Sequence, residues 1–347
     1  MFYRLKQPYP FNAWYVGALS SELGRFLFPR TLLGLPVVFY RTAMGRAMAA
    51  FGICPHRSYP LKNGTLTHDG IQCGYHGLIF DTSGTCRQLL RPGVGTVRSS
   101  LRMFPVAEQG PLVWVWLGDP RLADLATIPR TANLGVGSPG WRVDCSGYLN
   151  VRARHQVLCD NLLDSAHIDF VHNTSLERAP LFGVAKLASH PTTCTVSRES
   201  LANDAANFAF LLPGITGEVD IVMTSEFRGP GLIVAVQSHF YRSVASGEPR
   251  EPIAEMAFAH ALTPETPTST HYFPLFMRNF RLRDEMLSAV MGAQNLLVAE
   301  EDKAVVELVE AARALYADQM DLSTAEDAAA LQARRLIANM IDAEALP

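Results

Sequence analysis

Two short segments each pair a thiol with an imidazole. Cys54-Pro55-His56 is one, and Cys73-Gly74-Tyr75-His76 is the other, 16 residues further on. All four side chains fall within 23 residues. Turn signals such as Asn63-Gly64 and Ser83-Gly84 surround them, so both segments are expected on loops that aim their ligands inward. Two Cys and two His could hold tetrahedral zinc. They also suit a [2Fe–2S] cluster in which the Cys pair holds one iron and the His pair the other. Zinc sites usually keep Cys with Cys and His with His. Here each segment mixes the two types, which favours the cluster. Neutral imidazoles in place of anionic thiolates raise the potential of such a centre, so it can accept electrons and pass them on. Cys86, Cys145, Cys159 and Cys194 lack ligand spacing and read as small buried hydrophobes.

A pure electron carrier could end near residue 120. This chain continues for more than 200 residues, so an electron acceptor is expected downstream. The segment Asp160 to His172 supplies candidates. Asp164 and His167 are three apart and share a helix face. His167 and His172 are five apart, about 140° on an ideal helix. To face one metal, the helix must end or distort between them. Two His and one carboxylate with open positions form the triad of non-haem iron oxygenases. The carboxylate is expected far away, in Glu300-Glu301-Asp302, and the residues alone do not choose among these three.

The elements that must position these groups fall into two sets. Residues 1–120 read as short strands cut by turns: 37–41, 47–51, 71–80 and 113–117. Trp114 and Trp116 share a strand face and read as core. Residues 121–140 are the expected linker. Beyond them, 153–171 reads as helix, and 232–242, 254–263 and 270–280 as longer strands. Residues 286–316 read as a long helix, followed by another that Ser323-Thr324-Ala325-Glu326 opens as a capping box. The class is α+β: an all-β domain (1–120, core about 12–118) and a catalytic domain at 141–347 with helices covering an antiparallel sheet.

Composition narrows the function. Lys plus Arg is 30 against 33 acidic residues, a net charge of −3, which argues against a nucleic-acid partner. No apolar run approaches the roughly 18 residues of a membrane span. The first residues lack a signal-peptide apolar core, so the expected location is cytoplasmic.

The motifs together resemble the oxygenase component of a Rieske non-haem iron oxygenase of the vanillate O-demethylase, dicamba monooxygenase and toluenesulfonate methyl-monooxygenase type. The resemblance runs from Asn12-Ala13-Trp14-Tyr15-Val16 through both Cys/His segments. It continues through Asp160 to His172, Thr263-Pro264-Glu265-Thr266 and Arg278-Asn279-Phe280, ending at Glu301-Asp302-Lys303. It implies an N-terminal Rieske domain and a helix-grip catalytic domain. Cys54, Cys73, His56 and His76 would hold the [2Fe–2S] cluster. His167, His172 and Asp302 would hold mononuclear Fe(II). Asp164 would bridge His76 of one subunit and His167 of its neighbour, which implies a ring, typically a homotrimer. O2 would be co-substrate, with NAD(P)H electrons arriving through a separate reductase, directly or by way of a ferredoxin.

The function expected from this resemblance is hydroxylation or O-demethylation of a small methoxy- or methyl-aromatic acid. Ring (di)hydroxylation, or a non-aromatic substrate such as a steroid, would use the same metal ligands. A non-enzymatic alternative is a zinc- or cluster-bearing binding protein, which would have no use for His167, His172 and Asp302. Candidate substrate contacts are His260 and His271, on strands expected to line the cavity, and Asn161. Ser58-Tyr59-Pro60, the tract 208–221 and Pro274 depart from the family pattern and bear on substrate identity.

Overall fold

The β-branched and aromatic runs of the first 120 residues form eleven short strands in the computed structural model. It describes residues 8–68, 70–88, 99–131, 139–176, 182–242, 251–316 and 322–345. The expected linker lies partly outside these, at 132–138. The strands are β1 (Trp14–Leu19), β2 (Phe28–Leu32), β3 (Leu35–Arg41), β4 (Ala47–Phe51), β5 (Thr65–Leu66), β6 (Ile71–Gln72), β7 (Ile79–Phe80), β8 (Cys86–Gln88), β9 (Met103–Phe104), β10 (Val106–Gln109) and β11 (Leu112–Trp116). They build three sheets, ordered β1-β11-β10, β2-β3-β4-β9 and β5-β6-β7-β8. Trp14 stands directly opposite Trp116 on the first sheet, the two rings meeting edge-on at 5.6 Å. Both are buried, as is Trp114, so these rings act as core.

The chain divides into two compact units, 1–128 with 263–267, and 129–262 with 268–346. The division falls inside the 121–140 stretch. The inclusion of 263–267 in the first unit is not anticipated by a contiguous split. Within that unit, Leu33 N and Gly34 N donate to the carbonyls of Pro264 and Glu265 at 2.7 and 2.8 Å, which gives the Thr263–Thr266 motif a structural task.

The second unit adds strands β12 (Arg142–Cys145), β13 (Leu149–Val151), β14 (Lys186–Ser189), β15 (Cys194–Asp204), β16 (Glu218–Phe227), β17 (Leu232–Tyr241), β18 (Ala254–Thr266) and β19 (Ser269–Arg278). Their order is β12-β19-β18-β17-β16-β15-β14, with β13 also on β19. Pro274 sits where β19 changes partner from β13 to β12, so its missing N–H interrupts no ladder there. Among the described residues, four helices complete the unit: α1 (His155–Leu163), α2 (Ile168–Val171), α3 (Glu285–Leu315) and α4 (Ala328–Ala345). One apolar core joins Val157, Leu158 and Leu162 of α1 to Phe227, Ile233 and Tyr272 of the sheet, and to residues of α3 and α4. Burying each such large side chain contributes about 1.5–3 kcal/mol, which is what holds the helices on the sheet.

The expected helix over 153–171 is two helices. Asp164 leaves helical geometry (φ −95°, ψ 113°), and its Oδ1 accepts from Ala166 N at 2.7 Å. That side-chain bond offers the backbone an alternative to the helix ladder and ends α1. The capping box is shifted by one residue from its expected position. Thr324 is the N-cap, paired with Asp327, while Glu326 is engaged by Arg198. The start of α3 is pinned by Arg278, fully buried, which donates to Asp144 Oδ2, Asp284 O and Ser288 Oγ at 2.8, 3.0 and 2.8 Å. Asp284 in turn caps α3 by accepting from Leu287 N.

At the start of α1, His155 is buried with Nε2 2.6 Å from the Pro230 carbonyl. Burial pushes its pKa down to about 4. The folded state therefore binds fewer protons than the unfolded state between about pH 6.5 and 4, and stability falls as pH drops through that window. A His155→Gln protein keeps a donor for the Pro230 carbonyl and is expected to lose part of this slope, about 1.4 kcal/mol per pH unit. Denaturant titrations at pH 6.5, 5.5 and 4.5 read it directly. Identical slopes in the two proteins would show that His155 does not carry it.

Candidate metal centres and the cavity beside them

The two Cys/His segments fold into matching loops. Cys54 N donates to Tyr59 O and Ser58 N to Cys54 O, at 2.9 and 3.0 Å. Cys73 N donates to Leu78 O and Gly77 N to Cys73 O, at 2.8 and 2.9 Å. The same offsets recur because both loops must turn a Cys inward and a His outward within four residues. Each also needs a left-handed residue four positions after its Cys. Gly77 supplies it freely at φ 69°, whereas Ser58 adopts φ 53° with a side chain present. Cys54 and Cys73 are buried and unbridged. His56 and His76 lie nearer the surface, their rings 4.6 Å apart and 65° inclined. Burial foremost, and the neighbouring Cys73 thiol, push the Cys54 thiol up, against the backbone N–H groups of His56 and Arg57, which favour thiolate. Two inner sulfurs, with backbone donors at Cys54, and two outer imidazoles fit a cluster held by unlike ligand pairs.

The second group comes from α2 and α3. His167 and His172 flank the single turn of α2, one as its N-cap and the other as its C-cap. The helix that was expected to distort between them instead breaks earlier, at Asp164, and stops at His172. This brings the two rings to 5.2 Å. Asp302 reaches them from α3. Its Oδ1 is 3.2 Å from Nε2 of both histidines, and one donor atom from each residue falls within a 4.8 Å span. Asp302 is 3% exposed, yet Oδ1 makes no hydrogen bond in acceptable geometry. An orphaned buried carboxylate oxygen facing two imidazole nitrogens costs free energy unless a cation completes it, so the group fits a metal. Burial would raise the Asp302 pKa. The two imidazoles outweigh it and hold the carboxyl well below the usual range.

The three acidic residues left open by the sequence separate by helix face. Glu300 is exposed. Glu301 turns to His172, its Oε2 2.7 Å from Nδ1, and also accepts from Ser175 Oγ at 2.6 Å. Asp302 alone joins the two Nε2 atoms. Burial lowers the His172 pKa, but the carboxylates of Asp302 and Glu301 more than offset it.

The triad lines a cavity of about 140 Å³. Its sheet wall includes Met223, Ser225, Ala235, Phe258 and His260. Register explains why: Met223 and Ser225 of β16, Ala235 of β17 and Phe258 of β18 are cross-strand neighbours on one face. His260 Nδ1 pairs with Tyr272 OH at 2.7 Å, and burial pushes this histidine down to about 4, so it is neutral. Nε2 is the ring nitrogen left for the cavity. Gln237 and His239 continue the same face beyond Ala235.

The other expected contacts fall elsewhere. His271 is buried, with Nδ1 2.8 Å from Tyr148 OH, and is not among the lining residues. Asn161 lines a separate groove of about 670 Å³ with Asp164 and His167, and its Oδ1 is buried without a hydrogen-bond partner. Asp164 borders both spaces. Its Oδ1 is held by Ala166 N, and His167 Nδ1 is buried without a partner, so these two side chains are not bonded to each other here. Sequence reasoning missed the β16–β17 wall and Ser175. A period-two reading of Ile221, Met223, Ser225 and Phe227 would have marked one sheet face.

A β unit with a mixed Cys/His loop pair, followed by a sheet-and-helix unit holding a two-His, one-carboxylate group, defines a Rieske-type oxygenase component. Comparison with known proteins agrees. Residues 13–103 match the Rieske [2Fe-2S] domain and residues 151–343 the vanillate O-demethylase oxygenase C-terminal domain. The chain belongs to this family of Rieske non-haem iron oxygenases. It is 35% identical to the dicamba O-demethylase oxygenase component of Stenotrophomonas maltophilia, covering 87% of this chain and 88% of that one. It is 32% identical to the toluene-4-sulfonate monooxygenase system iron-sulfur subunit of Comamonas testosteroni, over 96% and 97%. Among solved structures, dicamba monooxygenase bound to 3,6-dichlorosalicylic acid superposes with a TM-score of 0.85 at 31% identity, covering 97% of this chain and 98% of that one.

The protein is therefore an enzyme, a monooxygenase-type oxygenase component, and not a zinc-bearing binding module. Its cofactors are a [2Fe–2S] cluster and mononuclear iron, with O2 as co-substrate. Among the described residues, no helix is long and apolar enough to cross a membrane.

Proposed function

We propose that the chain O-demethylates or hydroxylates a single-ring methoxy- or methyl-aromatic acid, with electrons from a separate NAD(P)H-oxidising reductase, directly or through a ferredoxin. The observation that carries this reading is the group His167, His172 and Asp302 on the wall of a cavity of about 140 Å³. A cavity of about 150 Å³ takes benzene, so a space of this size favours one ring over a fused-ring substrate such as a steroid. Cys54 and Cys73 would hold one cluster iron and His56 and His76 the other. His167, His172 and Asp302 would hold the mononuclear iron. Together these groups, when bound, supply electrons and O2 activation. The chain's own residues place the substrate. The apolar wall of Met223, Ala235 and Phe258 excludes water and stacks the ring. His260 Nε2 would hydrogen-bond the acid or phenol group, which sets which substituent faces the metal ligands.

For an aryl methyl ether the balance is one ether, O2, two electrons and two protons in, and a phenol, formaldehyde and water out. The methyl carbon is hydroxylated, and the resulting hemiacetal releases formaldehyde. Asp164 would link His167 of one subunit to His76 of the next in a homotrimer. The 670 Å³ groove that Asp164 and His167 share is where a neighbour's β unit would seat. A panel of methoxylated and methylated benzoic acids, assayed with a surrogate reductase, tests the reading. Stoichiometric formaldehyde and phenol are expected from a methoxylated acid, or the benzylic alcohol from a methylated one. Ring diols without formaldehyde, or turnover of steroids alone, would overturn it.

A further inference from the structure

The two histidines of the triad are held differently. His167 Nδ1 is buried and, among the described residues of one chain, has no hydrogen-bond partner. His172 Nδ1 is 2.7 Å from Glu301 Oε2. The same Glu301 oxygen accepts from Ser175 Oγ at 2.6 Å, and Gln294, two turns earlier on α3, donates to the Ser175 carbonyl. We propose that Glu301 is a positioning residue that fixes the tautomer and ring plane of His172 and strengthens it as a metal-binding imidazole. This rests on the reading of His167, His172 and Asp302 as the iron ligands.

The argument follows from the tautomer. A carboxylate only accepts, so the 2.7 Å contact requires the proton on His172 Nδ1. Nε2 then carries the lone pair, and it is Nε2 that faces Asp302 Oδ1 at 3.2 Å. The bond to an ionised acceptor fixes the ring plane and raises the basicity of Nε2. Ser175 holds the carboxylate in place, and the Gln294 bond holds Ser175. Adjacent residues of one helix thus do two jobs: Asp302 faces the metal position directly, and Glu301, about 100° around α3, reaches the back of the ligand ring.

The test uses protein that keeps its cluster but has been stripped of mononuclear metal and titrated with Co(II). Glu301→Ala is expected to bind Co(II) about 10–100-fold more weakly. Glu301→Gln is expected between wild type and Glu301→Ala, since its carbonyl still accepts the bond but without charge. Ser175→Ala is expected to weaken binding less than Glu301→Ala. In the Co(II)-loaded wild type, the paramagnetically shifted His172 Nδ1–H is expected to exchange slowly with solvent, and in Glu301→Ala it exchanges fast. A merely structural role would not move that signal. Cluster absorbance and thermal midpoint report folding, and the isosteric Gln variant keeps the test open if Ala misfolds. Wild-type Co(II) affinity in folded Glu301 variants, alongside weakened binding in His172→Ala, overturns the role of Glu301 alone. Unchanged affinity in His172→Ala as well overturns the ligand assignment beneath it.

Discussion

Cys73→Ser is expected to yield a colourless protein without turnover. The thiol at this position is buried and its loop is closed by two backbone hydrogen bonds, so the substitution leaves the loop its shape and removes only the sulfur ligand. A serine hydroxyl is a poor substitute, because an alkoxide is a far weaker ligand for cluster iron than the soft thiolate. One iron would then lack a ligand, and the cluster would be lost to solvent, because His56 and His76 lie close to the surface. Cys86→Ser is the matched control. Cys86 lies on β8, in the same small sheet but outside both loops, and that variant is expected to stay brown. Iron and sulfide content with the reduced-state EPR signal decide the matter. A full complement of cluster in Cys73→Ser would remove this residue from the ligand set.

This first centre was legible in the sequence because each loop is local. Three or four residues hold a Cys, a His and the turn between them, and no distant element is needed to bring them together. The long helix was legible for a related reason: composition places it at 286–316, and it spans Glu285–Leu315. The second centre was only half legible. Spacing calls for an end or distortion of the helix between His167 and His172, but the helix ends before both, where Asp164 bonds Ala166 N, and a new single turn runs between them, a short-range competition that periodicity does not reveal. Asp302, the third member of that group, lies 130 residues away from His172. It is nevertheless marked by a pattern: Asn295, Ala299, Asp302, Val306 and Glu310 form the buried stripe of α3, at spacings of three and four. Glu300 falls off that stripe. The cavity wall was not legible, because it depends on the register of three strands, and a shift of one residue would turn Met223, Ala235 and Phe258 to the opposite face. His271 illustrates the point. It sits one residue from Tyr272, and that single step on β19 exchanges a partner of the cavity histidine His260 for a partner of Tyr148.

Asp164→Asn is expected to keep both metal centres and lose nearly all turnover. The structure makes this variant unusually clean. Asp164 Oδ1 accepts from Ala166 N at 2.7 Å, and an asparagine carbonyl accepts the same bond, so the turn that separates α1 from α2 survives. His167 and His172 should then keep their places, and iron content should be near normal. What changes is the charge and one acceptor. His167 Nδ1 is buried and lacks a partner, while Asp164 borders the same cavity and the adjoining groove. In an assembled ring, a carboxylate here would accept from His167 on one side and from His76 of the neighbouring subunit on the other, orienting both metal-bound rings. An amide offers one acceptor oxygen and presents N–H groups where the second imidazole also presents N–H, so one of the two contacts turns repulsive. Electrons would then remain on the cluster. The measurement is single turnover: reduce the cluster fully, add O2 with substrate, and follow reoxidation. Wild-type reoxidation and product yield in Asp164→Asn would confine the residue to its turn. Slow reoxidation with intact colour, iron and oligomeric mass would place it in the electron path. A variant that loses its oligomeric mass as well would put its effect on assembly rather than on transfer, because the contact to the neighbour's imidazole would then be one that holds the ring together.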